Sequence, residues 1–107
     1  MAAVFEITIT ITKFVDKGFP GFVECQLVDA MGQSHAIIEK VPIVTKEDLW
    51  LDSSYPREGS FRCEVVKNWE DDRGRNLCQI DTSRPWSIES TEGKTEFVVL
   101  ASQLRSL

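Results

Sequence analysis

Apolar and polar residues alternate one by one near the start of the chain, and this alternation constrains the fold more than any other feature of the sequence. A period of two places one set of side chains on each face of an extended strand, so it predicts a β-strand with one buried face. Many of these residues are β-branched, which favours the same conformation. The apolar set is Phe5, Ile7, Ile9 and Ile11, and the polar set is Glu6, Thr8, Thr10 and Thr12.

The alternation changes phase at Lys13 and Phe14, which predicts a β-bulge or a strand end before a loop over residues 16–21. It resumes on both sides of the turn residues 29–32, and this arrangement predicts a hairpin whose second strand runs over residues 33–41. Pro42 lacks a backbone donor, so residues 41–44 are expected to end a strand or lie at a sheet edge. Such an edge is a poor template for pairing with a second copy of the chain.

The one predicted helix follows this strand and runs from Thr45 to Leu51. Thr45 can cap the helix N-terminus, and Glu47 and Asp48 fall in the first turn, where the helix dipole favours acidic side chains. The helix cannot continue to Pro56, because a proline moves the residue before it out of the helical region.

Strands and turns account for the second half of the chain. Strands are predicted around residues 61–65 and 77–81, with a turn at 71–75 between them. A C-terminal hairpin is predicted from residues 86–90 and 95–100, joined by the turn signal Glu92-Gly93.

These segments amount to about seven short strands and one short helix, which is typical of a mainly β protein. We therefore predict a single domain over residues 1–107, built as a small antiparallel β-barrel or a sandwich. The barrel is favoured because closing the sheet would cover strand edges rich in Ile, Val and Thr.

Charge and hydropathy narrow the classes of partner. The chain carries 17 acidic and 12 basic residues and a net charge of −5, which favours a basic protein partner and disfavours nucleic acid. A membrane is not an expected partner, because no run of about 18 apolar residues is present. The first 14 residues also lack a basic region followed by an apolar stretch, so we expect a cytoplasmic protein.

Cysteine and histidine chemistry is sparse in this sequence. Cys25, Cys63 and Cys78 have no metal-binding spacing, and each shares the parity of its apolar strand neighbours, so all three are expected in the core. His35 is the only histidine and could meet Cys25 across the first hairpin, but an inward thiol is a poor nucleophile. We therefore assign no catalytic role to His35 or Cys25.

No cofactor or metal site is expected from the remaining motifs. The six glycines are scattered singly at turns, without the spacing of a phosphate-binding loop. The acidic runs at 47–48 and 70–72 lie in predicted loop or helix-start positions and lack the alternating spacing of a calcium loop. We interpret them as solvated surface.

The aromatic residues are the most suggestive feature for function. Trp50, Tyr55, Trp69 and Trp86 lie at strand ends or in the long 45–59 connection, where each could anchor a partner or plug the end of a barrel. Trp86 is in phase with Ile88 and is the expected core member of this set.

The sequence favours a non-enzymatic protein-binding module, and the specific form that we consider is an acidic inhibitor or immunity-type protein that masks a basic partner. Its expected binding residues are Trp50, Tyr55, Trp69, Asp71 and Asp72. The first alternative is a small-molecule-binding or small enzymatic barrel with an aromatic cleft at Trp50, Tyr55 and Trp69, served by Asp48 or Glu70. The next is an oligonucleotide-binding type of barrel, which rests on the fold alone.

Overall fold

The alternating segment at the start of the chain forms β1, Ala3–Asp16, in the computed structural model, which describes residues 3–16, 18 and 20–107. Of the predicted 16–21 loop, Lys17 and Phe19 lie outside the described residues. The further strands are β2 (Phe22–Val28), β3 (Ser34–Lys40), β4 (Arg57–Glu70), β5 (Asn76–Asp81), β6 (Glu96–Leu100) and β7 (Leu104–Ser106). A four-residue α-helix, α1 (Val41–Val44), and a 3-10 helix, Ala101–Gln103, complete the elements.

The seven strands form one antiparallel sheet in the order β3-β2-β1-β4-β5-β6, and β7 also pairs with β1. β1 is long enough to serve both halves of the sheet, because its first part pairs with β4 and β7 and its second part with β2. The sheet curls into a half-barrel, so the predicted mainly β barrel class is confirmed. Register shifts between Ile11 and Lys13 and between Phe14 and Asp16 confirm the predicted bulge.

The concave face of the sheet holds the core. Phe61 is the largest fully buried side chain, and it lies opposite Ile7 on the neighbouring strand. The three cysteines are buried and free, as predicted. Burial raises the pKa of Cys25 to about 12, with a smaller contribution from Glu39 and Glu24, so its thiol stays protonated at neutral pH.

The turn between β4 and β5 is organised by Asp71. Its carboxylate accepts backbone N–H bonds from Arg73 and Arg75, each 2.9 Å long, and the Arg75 side chain also donates to it. Gly74 has a φ of +77°, a left-handed conformation that glycine adopts without steric cost. The same Asp/Ser-x-x-Gly pattern closes two further turns, which begin at Asp29 and Ser90 and place Gly32 and Gly93 fourth.

These turns also connect the two ends of the sheet. The Ala30 N–H, in the β2–β3 turn, donates to the Val98 carbonyl on the last strand of the sheet order at 2.8 Å. The Thr91 N–H donates to the Ala36 carbonyl on β3 over the same distance. The Arg75 side chain adds a third link by donating to the Ala30 carbonyl, so two backbone hydrogen bonds and one side-chain hydrogen bond close the half-barrel where strand pairing does not.

Hydrogen bonds from the chain lower the pKa of three aspartates. The Arg75 amide is the main cause at Asp71, and the Ser83 hydroxyl is the main cause at Asp81. Burial raises the pKa of Asp29, but hydrogen bonds from His35 and from two backbone amides outweigh it. All three carboxylates therefore favour the ionised form in the folded protein.

Stability is expected to fall as the pH is lowered through these depressed pKa values, below the ordinary 3.8. A carboxyl with a lowered folded-state pKa stabilises the protein above its unfolded-state pKa, and the gain is lost on protonation. Urea unfolding between pH 6 and pH 2 measures this loss. The fall in stability with pH should be shallower for Asp71→Asn than for wild type, and equal slopes for the two proteins would contradict the assignment.

The helix does not lie where the sequence predicted it. α1 spans Val41–Val44, which was expected to end a strand, and residues 45–51 are irregular. Pro42 fits the first turn of a helix, where no amide donor is needed. Thr45 follows the helix as its C-cap and donates its amide to Val41, so it is not the N-terminal cap.

The predicted C-terminal hairpin is also wrong. Residues 86–90 are not a strand, and β6 pairs with β5. Ser87 has a φ of 56°, which breaks the extended alternation between Trp86 and Ile88. Ile88 is buried, but Trp86 is 41% exposed and is not the core residue that its phase predicted.

Within the described ranges, no helix combines the length and the apolar character that crossing a membrane requires.

Candidate functional site

A groove opens at one end of the half-barrel, between the β1–β2 loop and the irregular residues after α1. It encloses about 960 Å³, and we call it the Trp50 groove. Leu49 is buried in the core and fixes the 45–56 segment over the barrel end. The apolar residues that line the groove are Phe14, Pro20, Val41, Pro42, Leu49, Trp50 and Leu51.

Trp50 is presented on a backbone that is held at both of its polar groups. Its N–H donates to the Ser53 hydroxyl at 2.9 Å, and its carbonyl accepts the Tyr55 hydroxyl at 2.7 Å. The side chain itself is 65% exposed, and the neighbouring Leu51 is 61% exposed. A large apolar surface is thus displayed from an ordered segment, which lowers the entropic cost of binding.

Charged residues line the same groove. Glu47, Asp48 and Asp52 are exposed carboxylates, and Lys46 is the one basic residue among the described lining residues. Arg57, at the start of β4, forms an ion pair with Glu47. Asp48 and Asp52 make no ion pair or side-chain hydrogen bond within the described ranges, so their charges face solvent at the groove.

The five predicted binding residues do not form one site. Trp50 and Tyr55 come together just before β4, whereas Trp69, Asp71 and Asp72 lie at or beyond the far end of this 14-residue strand. The Asp71 carboxylate is occupied by its own turn, and Asp72 is exposed. An aromatic cleft shared by Trp50 and Trp69 is therefore not formed.

Trp69 lines a separate recess of about 710 Å³ beside β5 and β7, with the Lys67 ammonium 5.3 Å from its ring centroid. Trp86 borders a third recess of about 430 Å³ beside α1 and β4, and the Arg62 guanidinium lies 5.1 Å from the centroid of its ring. Leu51 and Ser53 were missed by sequence reasoning. Leu51 was read as a helix end, and the contact of Ser53 depends on an irregular backbone that carries no periodic signal.

The residues considered for catalysis have structural partners. His35 Nε2 lies 2.9 Å from Asp29 Oδ2, and the imidazole packs edge-on against Phe97 with 5.0 Å between the ring centroids. Cys25 lies opposite Ile37 in the hairpin, and its pKa of about 12 disfavours the thiolate. Among the residues that the structure describes, no three His, Cys, Asp or Glu side chains are grouped to hold a metal ion.

In comparisons with known proteins, no family model, no curated protein and no solved structure matches this chain.

Proposed function

We propose that the protein is a non-enzymatic protein-binding module that captures its partner in the Trp50 groove. The observation that carries the proposal is the exposed indole of Trp50, held on a fixed backbone beside an apolar groove. Tryptophan is enriched among residues that dominate binding energy, and a contiguous apolar surface is a common mark of an interaction site.

The charge of the chain supports a basic partner. A net charge of −5 speeds encounters with a positively charged protein and disfavours like-charged competitors. An inhibitor or immunity-type role, in which the module covers a basic surface of its partner, fits these properties. The proposal places this complex in the cytoplasm, where the free thiols would stay reduced.

Trp50→Ala is expected to weaken partner binding by at least about 30-fold, because removing a central aromatic anchor costs about 2 kcal/mol or more. A partner that co-purifies stoichiometrically with the tagged chain would be purified, and its Kd measured by calorimetry. Met31→Ala is the matched control, because Met31 is 79% exposed on the β2–β3 turn and does not line the groove.

Both variants should keep the wild-type melting temperature, because each truncates an exposed side chain. Equal affinities of the two variants for the partner would contradict the proposed role of the groove.

A small-molecule-binding function is the second candidate, and the size of the groove favours it. Its volume of about 960 Å³ lies within the range of roughly 300–1,000 Å³ that is common for ligand pockets. A metabolite that raises the melting temperature of wild-type protein and of Met31→Ala, but not of Trp50→Ala, would support this candidate. A ligand of this kind would also change Trp50 fluorescence.

A further inference from the structure

We infer that the Trp50 groove selects a cationic segment of its partner, in which a lysine or arginine lies next to an apolar anchor residue. The inference rests on the proposed function and specifies the chemistry that the same groove would recognise. It is carried by the arrangement of acidic side chains around the apolar lining.

The apolar part of the groove would receive the anchor. One apolar wall of the groove is formed by Phe14, Pro20 and Leu49. The exposed side chains of Trp50 and Leu51 extend this wall into solvent. An aliphatic or aromatic partner side chain placed against this surface would shield area that is now in contact with water. Apolar contact alone does not distinguish one anchored segment from another, so selectivity must come from the charged groups nearby.

Those groups are predominantly acidic. Asp48 and Asp52 line the groove and are exposed, and each makes no ion pair with another described side chain. Glu47 also lines the groove, but its charge is paired with that of Arg57. Among the described lining residues, Lys46 is the one cation. Asp16 lies beside the lining residue Gly18, whose amide donates to its carboxylate at 2.9 Å.

A cationic flank beside the anchor would meet Asp48 or Asp52, whereas an acidic flank would meet like charge. Exposed ion pairs contribute little each and are screened by salt, so their role here is selection more than affinity. The anchor would supply most of the binding energy, and the two aspartates would decide which anchored segments are accepted.

Selection of displayed random 12-residue peptides on the full chain tests this inference. Peptides that bind should carry a Lys or Arg adjacent to a Leu, Phe, Trp or Met. A synthetic peptide of the selected sequence, labelled for fluorescence anisotropy, should bind Asp48→Asn/Asp52→Asn about three- to tenfold more weakly than wild type at low salt. Glu92→Gln removes an exposed carboxylate from the Ser90 turn, which does not line the groove, and it should bind like wild type.

Replacing the basic residue of the peptide by glutamine gives the decisive comparison. This change should weaken binding to wild type by about the same factor but should not weaken binding to Asp48→Asn/Asp52→Asn further. Neutral or acidic flanks in the selected peptides, or unchanged affinity for the double variant, would overturn the inference.

Trp50→Ala separates the inference from the function on which it rests. If Trp50→Ala loses the peptides while the double variant binds them like wild type, the cationic preference is wrong and the binding groove stands. If Trp50→Ala binds the peptides as wild type does, or if selection yields no Trp50-dependent peptide, the proposed function fails and the inference fails with it.

Discussion

Truncating Phe61 to alanine is expected to lower the free energy of unfolding by about 3–5 kcal/mol, the usual cost of deleting a buried aromatic side chain. Phe61 is 1% exposed and lies on β4, an inner strand that pairs with β1 and β5. It packs at the level of Ile7, which is itself fully buried, so little of the vacated volume can be filled by a small shift of the chain.

Urea unfolding followed by far-ultraviolet circular dichroism measures the effect. A natural domain has only about 5–15 kcal/mol of stability in total, so the variant should be partly unfolded under mild conditions. Met31→Ala, which truncates a large apolar side chain on an exposed turn, should change stability by less than about 0.5 kcal/mol. A cost below about 1 kcal/mol for Phe61→Ala would show that the concave face is not packed as described.

Adding one methyl group at Gly59 is expected to cost about 1–3 kcal/mol, the usual penalty for overpacking a core. A Cβ at this position would lie 2.7 Å from Ile11 Cδ1 and 2.9 Å from the Val44 carbonyl oxygen. The isoleucine methyl can move a little, but the carbonyl belongs to the backbone of α1, whose residues Val41 and Val44 are buried. Gly59→Ala should therefore displace α1 and, with it, the adjoining wall of the Trp50 groove.

A double-mutant cycle with Ile11→Val measures the part of this cost that comes from Ile11 Cδ1. Ile11→Val removes Cδ1, the nearest atom to the new Cβ, and leaves Cγ1 and the Val44 carbonyl in place, so the double variant should be about 0.5–1 kcal/mol more stable than the sum of the single changes predicts. Gly74→Ala is the matched control: its Cβ would meet nothing within 4 Å, and its cost arises from a positive φ alone. Its effect should simply add to that of Ile11→Val, and additivity at Gly59 too would show that the contact with Ile11 Cδ1 contributes nothing to the cost.

The strands that follow a regular alternation were predictable from the sequence. In β1, β2 and the first part of β4, every second residue faces the core, and the bulge lies where the alternation changes phase at Lys13. The turns were also predictable from local signals. In each of them an Asp or Ser side chain caps the turn, and a glycine with positive φ stands three residues later. These signals are local, and each is set by a few neighbouring residues.

Features that depend on distant contacts were not predictable in this way. Thr45 and Asp48 have the spacing of a helix start. Glu47, however, forms an ion pair with Arg57 on β4, and Leu49 is buried where the irregular chain crosses the barrel end. The short β7 carries only three residues, and its pairing with β1 depends on a 3-10 helix that precedes it. Periodicity cannot reveal either arrangement.

The candidate site was predictable only in part, because residue type is visible in the sequence but the distance between residues is not. Trp50 and Tyr55 were recognised as an aromatic pair in a long connection, and a hydrogen bond joins them. Trp69 was grouped with them by residue type, but the length of β4 separates it from the groove. Residue type indicates what a side chain can bind, whereas the path of the chain decides which side chains bind together.

The two ends of the half-barrel offer different opportunities for redesign. At one end, the Asp71 turn is hydrogen-bonded to the Asp29 turn, and the Asp29 and Ser90 turns are hydrogen-bonded to the outer strands, so a change there would disturb the closure of the sheet. At the other end, the 45–56 segment contributes Leu49 to the core and leaves Trp50, Leu51 and Asp52 exposed. A combinatorial library confined to these exposed positions, with Leu49, Ser53 and Tyr55 kept, would vary recognition on a constant framework, as variable loops do in antibodies.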